Sequence, residues 1–309
     1  MKKKLNFLVI LFALFLISAC SKEETSNFTY EAIDDSNVID HIHGIGYPAN
    51  GDILLVATHN GPITFDGDTW KQANSQNHDY MGFQAVSQGF YSSGHPEPDS
   101  TLEDPLGLVK SFDLGENIEQ LAFYGEIDFH YLAAGYDTNR VYVINPMPVK
   151  GLEPGLHYTD DEGKTFVQKA MNGFDSQKAS NLAAHPEDKD LVMIGTETGL
   201  SVSTNAGEDF SSKLVGSYVT YVTIGKEVGY VARNEKEEVE LVAFDLDNYE
   251  ENILSLPEIE GDNPITFITA HPMDKQELTI VTLKNDIYVT KDGGKSWTAI
   301  MEKGKVVTP

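Results

Sequence analysis

The chain has 309 residues, 40% of them hydrophobic and 23% charged, a single cysteine and a formal net charge of −26. One cysteine excludes a disulfide framework and a structural zinc site built on thiolates. So acidic a body repels nucleic acid and anionic lipid head groups and favours cations as small partners.

The chain opens with Lys2, Lys3 and Lys4, an apolar run from Leu5 to Ile17, then Ser18, Ala19 and Cys20. That order is a secretory signal peptide over residues 1–19, too short and wrongly flanked for a bundle of membrane helices. Ile17-Ser18-Ala19-Cys20 also resembles the bacterial lipobox, which implies that Cys20 is acylated and becomes the mature N-terminus. The expected location is the extracytoplasmic face of the cell membrane, with the lipid bilayer a partner through Cys20. Loss of the three lysines would take the charge from −26 to −29. Residues 20–37 are polar and read as a short tether. No later run reaches the roughly 18 apolar residues of a membrane span.

Residues 38–309 hold an internal repeat. "TDDEGKTF" (159–166), "STNAGEDF" (203–210) and "TKDGGKSW" (290–297) align without gaps. "SFDLGENI" (111–118) is a weaker copy, "TFDGDTW" (64–70) is one residue short, and "AFDLDNYE" (243–250) is a decayed one. The period is roughly 45 residues, the scale of a propeller blade. In each unit Asp113, Asp161, Asn205 or Asp292 can accept backbone N–H groups of its own turn. Gly163, Gly207 and Gly294 supply a positive φ, and an aromatic such as Trp297 drops beside the strand. Each period also contains four short strands, as in "ASNLAAHPEDKDLVMIGTETGLSVST" and the turn that follows it. The prediction is an all-β fold, a six-bladed β-propeller of four-stranded antiparallel blades. The outermost strand of the last blade is either "WTAIMEKG" or a piece contributed by "NFTYEAI" near the start.

These segments resemble the Asp-box, or BNR repeat, of sialidases, sortilin-type ectodomains and photosystem assembly factors. With "HIHG", "HDYMGF", "SGHP" and "DFH", the chain resembles a group of lipoproteins from bacilli that carry a loose glycosylhydrolase label. The resemblance implies a fold and says little about chemistry.

Blade topology sorts the histidines. If strands A to D run outward from the axis, the repeated turn joins C to D and the "HP-x-D" turn joins A to B, on one face. The starts of the A strands and the B–C loops emerge on the other. His41 and His43 in "DHIHGIGY", His78 in "NHDYMG" and His130 in "DFHY" open A strands; His59 and His95 lie in B–C loops. All six are expected at one mouth. His185, His271 and His157 belong to the repeat. The aromatics Tyr80, Phe83, Phe90, Tyr91 and Phe129, with Met81 and Met147, read as blade core. The loop after His95 and the loop near 145–155 are long and rich in Pro and Gly, a property of segments that cover sites.

Imidazole binds copper or zinc, and Asp79 and Asp128 can complete the shell or orient a ring from behind; Met81 would suit copper. The first reading is therefore a small-ligand or metal site at His41, His43, His59, His78, His95 and His130. The second is a glycoside hydrolase using Asp79 and Asp128 as its carboxylates. A true sialidase is excluded, because that family grips its substrate with three arginines and this chain has two, Arg140 and Arg233. The third is a scaffold for an exported protein partner. There is no G-x-S-x-G, phosphate-binding glycine loop or H-E-x-x-H.

Overall fold

Period-two strands separated by turn residues give six antiparallel sheets of four or five strands. The computed structural model describes residues 28–33, 36–235 and 238–307. The leader and Cys20 lie outside the described residues. No helix among the described residues is long and apolar enough to cross a membrane.

The innermost strands of successive blades are Ile42–Gly46, Asp79–Val86, Leu132–Ala134, Ala179–Ala184, Tyr218–Ile224 and Ile265–Ala270. Each contacts the next, and Ile42–Gly46 contacts Ile265–Ala270, so the six blades form a closed wheel. Middle strands such as Leu54–Thr58, Val192–Thr196 and Leu278–Thr282 are buried along their whole length, because blades cover both of their faces. Apolar contact is organised between blades. Leu55, Tyr80, Phe83 and Phe90 join blades one and two, and Val86, Phe129, Leu132 and Val141 join two and three.

Closure requires no exchange of strands. Thr298–Glu302 is the fourth strand of blade six, and Tyr30–Ala32 adds instead to the outer edge of blade one, against Trp70–Ala73. The stretch read from sequence as tether thus joins the fold before residue 37. Its alternation of Tyr30 and Ala32 with polar residues suits an edge strand, and Tyr30 Oη donates to the Leu114 carbonyl at 2.6 Å. At the seam, Ile39 N–H donates to Gly304 O at 2.8 Å and Trp70 Nε1–H to Ile300 O at 2.9 Å. Ile39, Ile42, Ile300 and Met301 fill the space between.

The repeated turn has one geometry in four blades. Thr290 Oγ1 donates to Asp292 Oδ1 and accepts the Gly294 N–H, while Asp292 Oδ1 accepts the Ser296 N–H at 2.9 Å. Ser111–Asp113, Thr159–Asp161 and Ser203–Asn205 repeat these bonds. Gly163, Gly207 and Gly294 stand at φ of +82°, +87° and +84°, where a side chain is strained. Trp297 lies against the core between blades five and six, its Nε1–H on Ser255 O.

Candidate functional site

The A strand of blade one enters through a bulge between Ile42 and Gly44. Bulges re-aim side chains at a rim. The rings of His41 and His43 stack 6.3 Å apart on one side of the strand. His59, from the turn between the second and third strands, closes a triangle with them at 6.1 and 6.2 Å. Asp79, at the start of the next blade, lies beneath. Its Oδ2 accepts the His59 Nδ1–H at 2.7 Å. Its Oδ1 is 3.3 Å from His43 Nε2. That exceeds an ordinary N–H···O hydrogen bond of about 2.7–3.2 Å. Both atoms are buried, and neither has a hydrogen-bond partner among the described residues. Burial pushes the His43 imidazolium below its ordinary range, although Asp79 pulls the other way. Burial thus favours the neutral ring, the form that can ligate. The ligating atoms of His43, His59 and Asp79 all lie within 4.8 Å of one another.

A second cluster stands one blade on. Asp128 opens blade three, and its Oδ2 lies 3.3 Å from His130 Nδ1 and 3.4 Å from His95 Nε2. His95 donates Nδ1–H to Asp104 Oδ1 at 2.6 Å. Burial opposes charge on His95, but Asp104 and Asp128 outweigh it and raise the group. Burial pushes the Asp128 carboxyl up, against the pull of His130, His95 and the nearby Ser93 hydroxyl. Asp79 acts electrostatically on both Asp128 and His95, so the two clusters share one field.

Five of the six expected histidines meet at this mouth; His78 does not. Its ring is buried edge-on to Tyr80. Nδ1 accepts the Glu97 N–H at 3.0 Å and Nε2–H donates to Gln76 Oε1 at 3.0 Å. With both nitrogens used, His78 holds the strand entry together and has no lone pair for a ligand. It precedes Asp79 by one residue, so the period of two turns it away from the mouth.

His185 and His271 accept the N–H groups of their own "HP-x-D" turns, and His157 is buried in its strand. Arg140 pairs with Asp160 and Asp190 and stacks on Tyr158, and Arg233 pairs with Glu240 and Glu251. Tyr80, Phe83, Phe90, Tyr91 and Phe129 are core, as expected. Met147 is not: it is 69% exposed in the blade-three loop, where no neighbouring blade covers it. Asp104 escaped the sequence reading, although the Pro-rich loop that carries it is a signal of a covered site.

Inside the wheel the buried Tyr221 of blade five is close enough to Gln84 of blade two and Asn181 of blade four for both side chains to act on its hydroxyl. Blades two and five are opposite, so these side chains approach one another across the axis. Beyond them, on the far face, is a cavity of about 460 Å³ lined by Ile45, Ala85, Ala134, Ala184 and Thr223.

No protein-family model matches the sequence, and no curated protein matches it. Solved structures do match in fold. The GH74 xyloglucanase from Xanthomonas campestris superposes with a TM-score of 0.55 at 14% identity over 89% of this chain and 47% of its own. The Niastella koreensis GH74 enzyme gives 0.58 at 12% identity over 88% and 47%. YCF48 bound to D1 peptide gives 0.52 at 13% identity over 87% and 84%. The chain spans less than half of the two GH74 structures. At these identities the likeness is one of fold, a β-propeller.

Proposed function

We propose that this is an extracytoplasmic propeller, held to the membrane through Cys20, whose mouth binds a divalent transition-metal ion such as copper or zinc through His43, His59 and Asp79. One observation carries the reading. His43 Nε2 and Asp79 Oδ1 face each other, buried and unpartnered among the described residues, at 3.3 Å. Two ligands bound at about 2.0–2.1 Å with a near-tetrahedral angle between them stand roughly 3.3 Å apart. Orphaned buried groups are costly, and a cation between them would satisfy both. His59, whose Nδ1 lies 2.7 Å from Asp79 Oδ2, has a ligating atom within 4.8 Å of both residues' ligating atoms. Titration of the metal-stripped protein with Cu²⁺ and Zn²⁺ should show binding at micromolar levels or tighter, lost in His43→Ala. No binding by the parent protein ends the reading.

A second reading, hydrolysis of a neutral sugar, draws on Asp128, whose raised carboxyl has the character of a general acid. Chromogenic glycosides with Asp128→Asn as control decide it, and an inactive parent protein dismisses it.

A further inference from the structure

The face away from the histidines has a chamber of its own. Three of the six A strands end there on alanine, at Ala134, Ala184 and Ala270, and blade two places Ala85 one residue before its end. Protein interiors are otherwise packed as densely as organic crystals. These short side chains leave the axis unfilled, and the cavity of about 460 Å³ is the result. Its size falls within the roughly 300–1,000 Å³ of pockets that enclose a small organic molecule.

A channel that holds water needs polar walls. Around the axis this wall is instead Ile45, Ile224 and Ile268 together with the alanines. Polar groups stand at the two ends. At the inner end Gln84 and Tyr221 line the chamber, and burial pushes the Tyr221 hydroxyl up to about 12, so it stays a neutral donor. Asn181 is already used, since its amide exchanges two bonds with the Val222 backbone at 2.8 and 2.9 Å. At the outlet, in the A–B turns, stand Lys226, Glu227 and Lys275. Lys226 Nζ is 3.1 Å from Asp137 Oδ2 and 2.6 Å from Glu187 Oε1, and Lys275 Nζ is 2.7 Å from Glu227 Oε2. Two ammonium groups against three carboxylates leave the rim acidic, on a chain of net charge −26. An anion entering there is repelled, and a neutral molecule is not.

We infer that the far face carries a separate binding site for a neutral, largely apolar small molecule. Its body fills the alanine-walled chamber, and its hydrogen-bonding group meets Gln84 and Tyr221. The inference is independent of the metal reading, because the two sites lie on opposite faces of the wheel.

The test uses two dyes of one skeleton, anilinonaphthalene, which is neutral, and anilinonaphthalene sulfonate, an anion. Titrated into the purified full chain, the neutral dye should bind saturably, one per chain, with enhanced and blue-shifted fluorescence. The sulfonate should bind at least about tenfold more weakly. Ala184→Leu and Ala270→Leu push a branched side chain into the chamber, and each should weaken the neutral dye at least about tenfold. Gln84→Leu should weaken it by about 2–10-fold, the worth of one neutral hydrogen bond. Met273→Ser removes a side chain that is 70% exposed on the same face without lining the chamber, and it should change nothing. Circular dichroism checks each fold, and Ala134→Val replaces any variant that fails. No saturable binding by the parent protein overturns the inference. Binding that survives both alanine substitutions, or is lost in Met273→Ser, overturns it too, because the dye would then be adhering to the surface. A sulfonate bound as tightly as the neutral dye overturns the selection against anions, and unchanged affinity in Gln84→Leu overturns the polar contact.

Discussion

Gly94→Ala tests whether the backbone of blade two holds both clusters in place. Gly94 lies one residue before His95, in register with Tyr80 and beside Asp79, at φ +118°. A Cβ there would stand 1.9 Å from the Asp79 carbonyl oxygen and 2.7 Å from the Met81 nitrogen. Both neighbours are backbone, so the strands must part by roughly 1 Å, an overpacking cost of about 1–3 kcal/mol. The positive φ adds about 1–3 kcal/mol for a residue with a side chain. Together these are a large share of the roughly 5–15 kcal/mol that holds a domain. Gly67 is the control: its φ is +100°, and nothing lies within 4 Å of a Cβ there. Gly67→Ala therefore suffers the strain without the clash. In thermal melts Gly94→Ala should unfold roughly 5–15 °C below the parent, and Gly67→Ala only about half as far. Zinc affinity at the first cluster should fall at least about tenfold in Gly94→Ala, since Asp79 moves with its carbonyl. If Gly94→Ala melts no lower than Gly67→Ala, the close approach of these strands is not what fixes the mouth.

Two further outcomes follow from the turns and from His78. Asp292 is held well below the usual carboxylate range by Ser296, Thr290 and Lys295, so its contribution is full above about pH 4 and is lost as pH falls through its folded value. Asn205 makes the same bonds in blade four, so Asp292→Asn should match the parent in melts at pH 7 and lose less stability between pH 4 and pH 2. A variant as acid-sensitive as the parent would contradict this. His78 is pushed down by burial, so its contribution is complete above about pH 6.5 and fades as pH drops below that. His78→Ala should cost about 2 kcal/mol in urea unfolding, by orphaning the Glu97 N–H and the Gln76 carbonyl, and leave the zinc count unchanged. A lost ion would return His78 to the ligand set.

The wheel is legible in the sequence because its turn is chemical. A Ser or Thr, two residues later an Asp or Asn, and two later a Gly can only be spaced that way if the side chains bond the backbone of one tight loop. The side of the wheel to which each histidine belongs follows from the same period. What a histidine does there does not follow. His78 and Asp79 are neighbours in the chain and differ by one step of strand alternation, and the bulge between Met81 and Gln84 blurs that step in the pattern. Asp104 reaches His95 across a loop whose path depends on contacts such as Gly125 N–H to Pro105 O, far apart in the chain. Closure was equally hidden, since "NFTYEAI" and "WTAIMEKG" are both competent edge strands by composition. Their pairings distinguish them: Tyr30–Ala32 lies against Trp70–Ala73 and Thr298–Glu302 against Ile287–Thr290.

The glycines of "HIHGIGY" connect the packing of the wheel to its mouth. A Cβ on Gly44 would stand 2.7 Å from Phe83 Cβ, and one on Gly46 2.5 Å from Ala85 Cβ. Blade one therefore approaches blade two more closely than any residue with a side chain would allow. That approach brings the strand bearing His43 against the strand that begins at Asp79, and it places the two orphaned atoms 3.3 Å apart. A pair of glycines two residues apart also leaves the alternate positions to His43 and Ile45, one facing the mouth and the other the core between blades one and six. The same seven residues thus set the distance between blades and the composition of the site. A change that relaxed the packing would open the mouth in proportion, because the ligand cluster spans the interface that the glycines bring together.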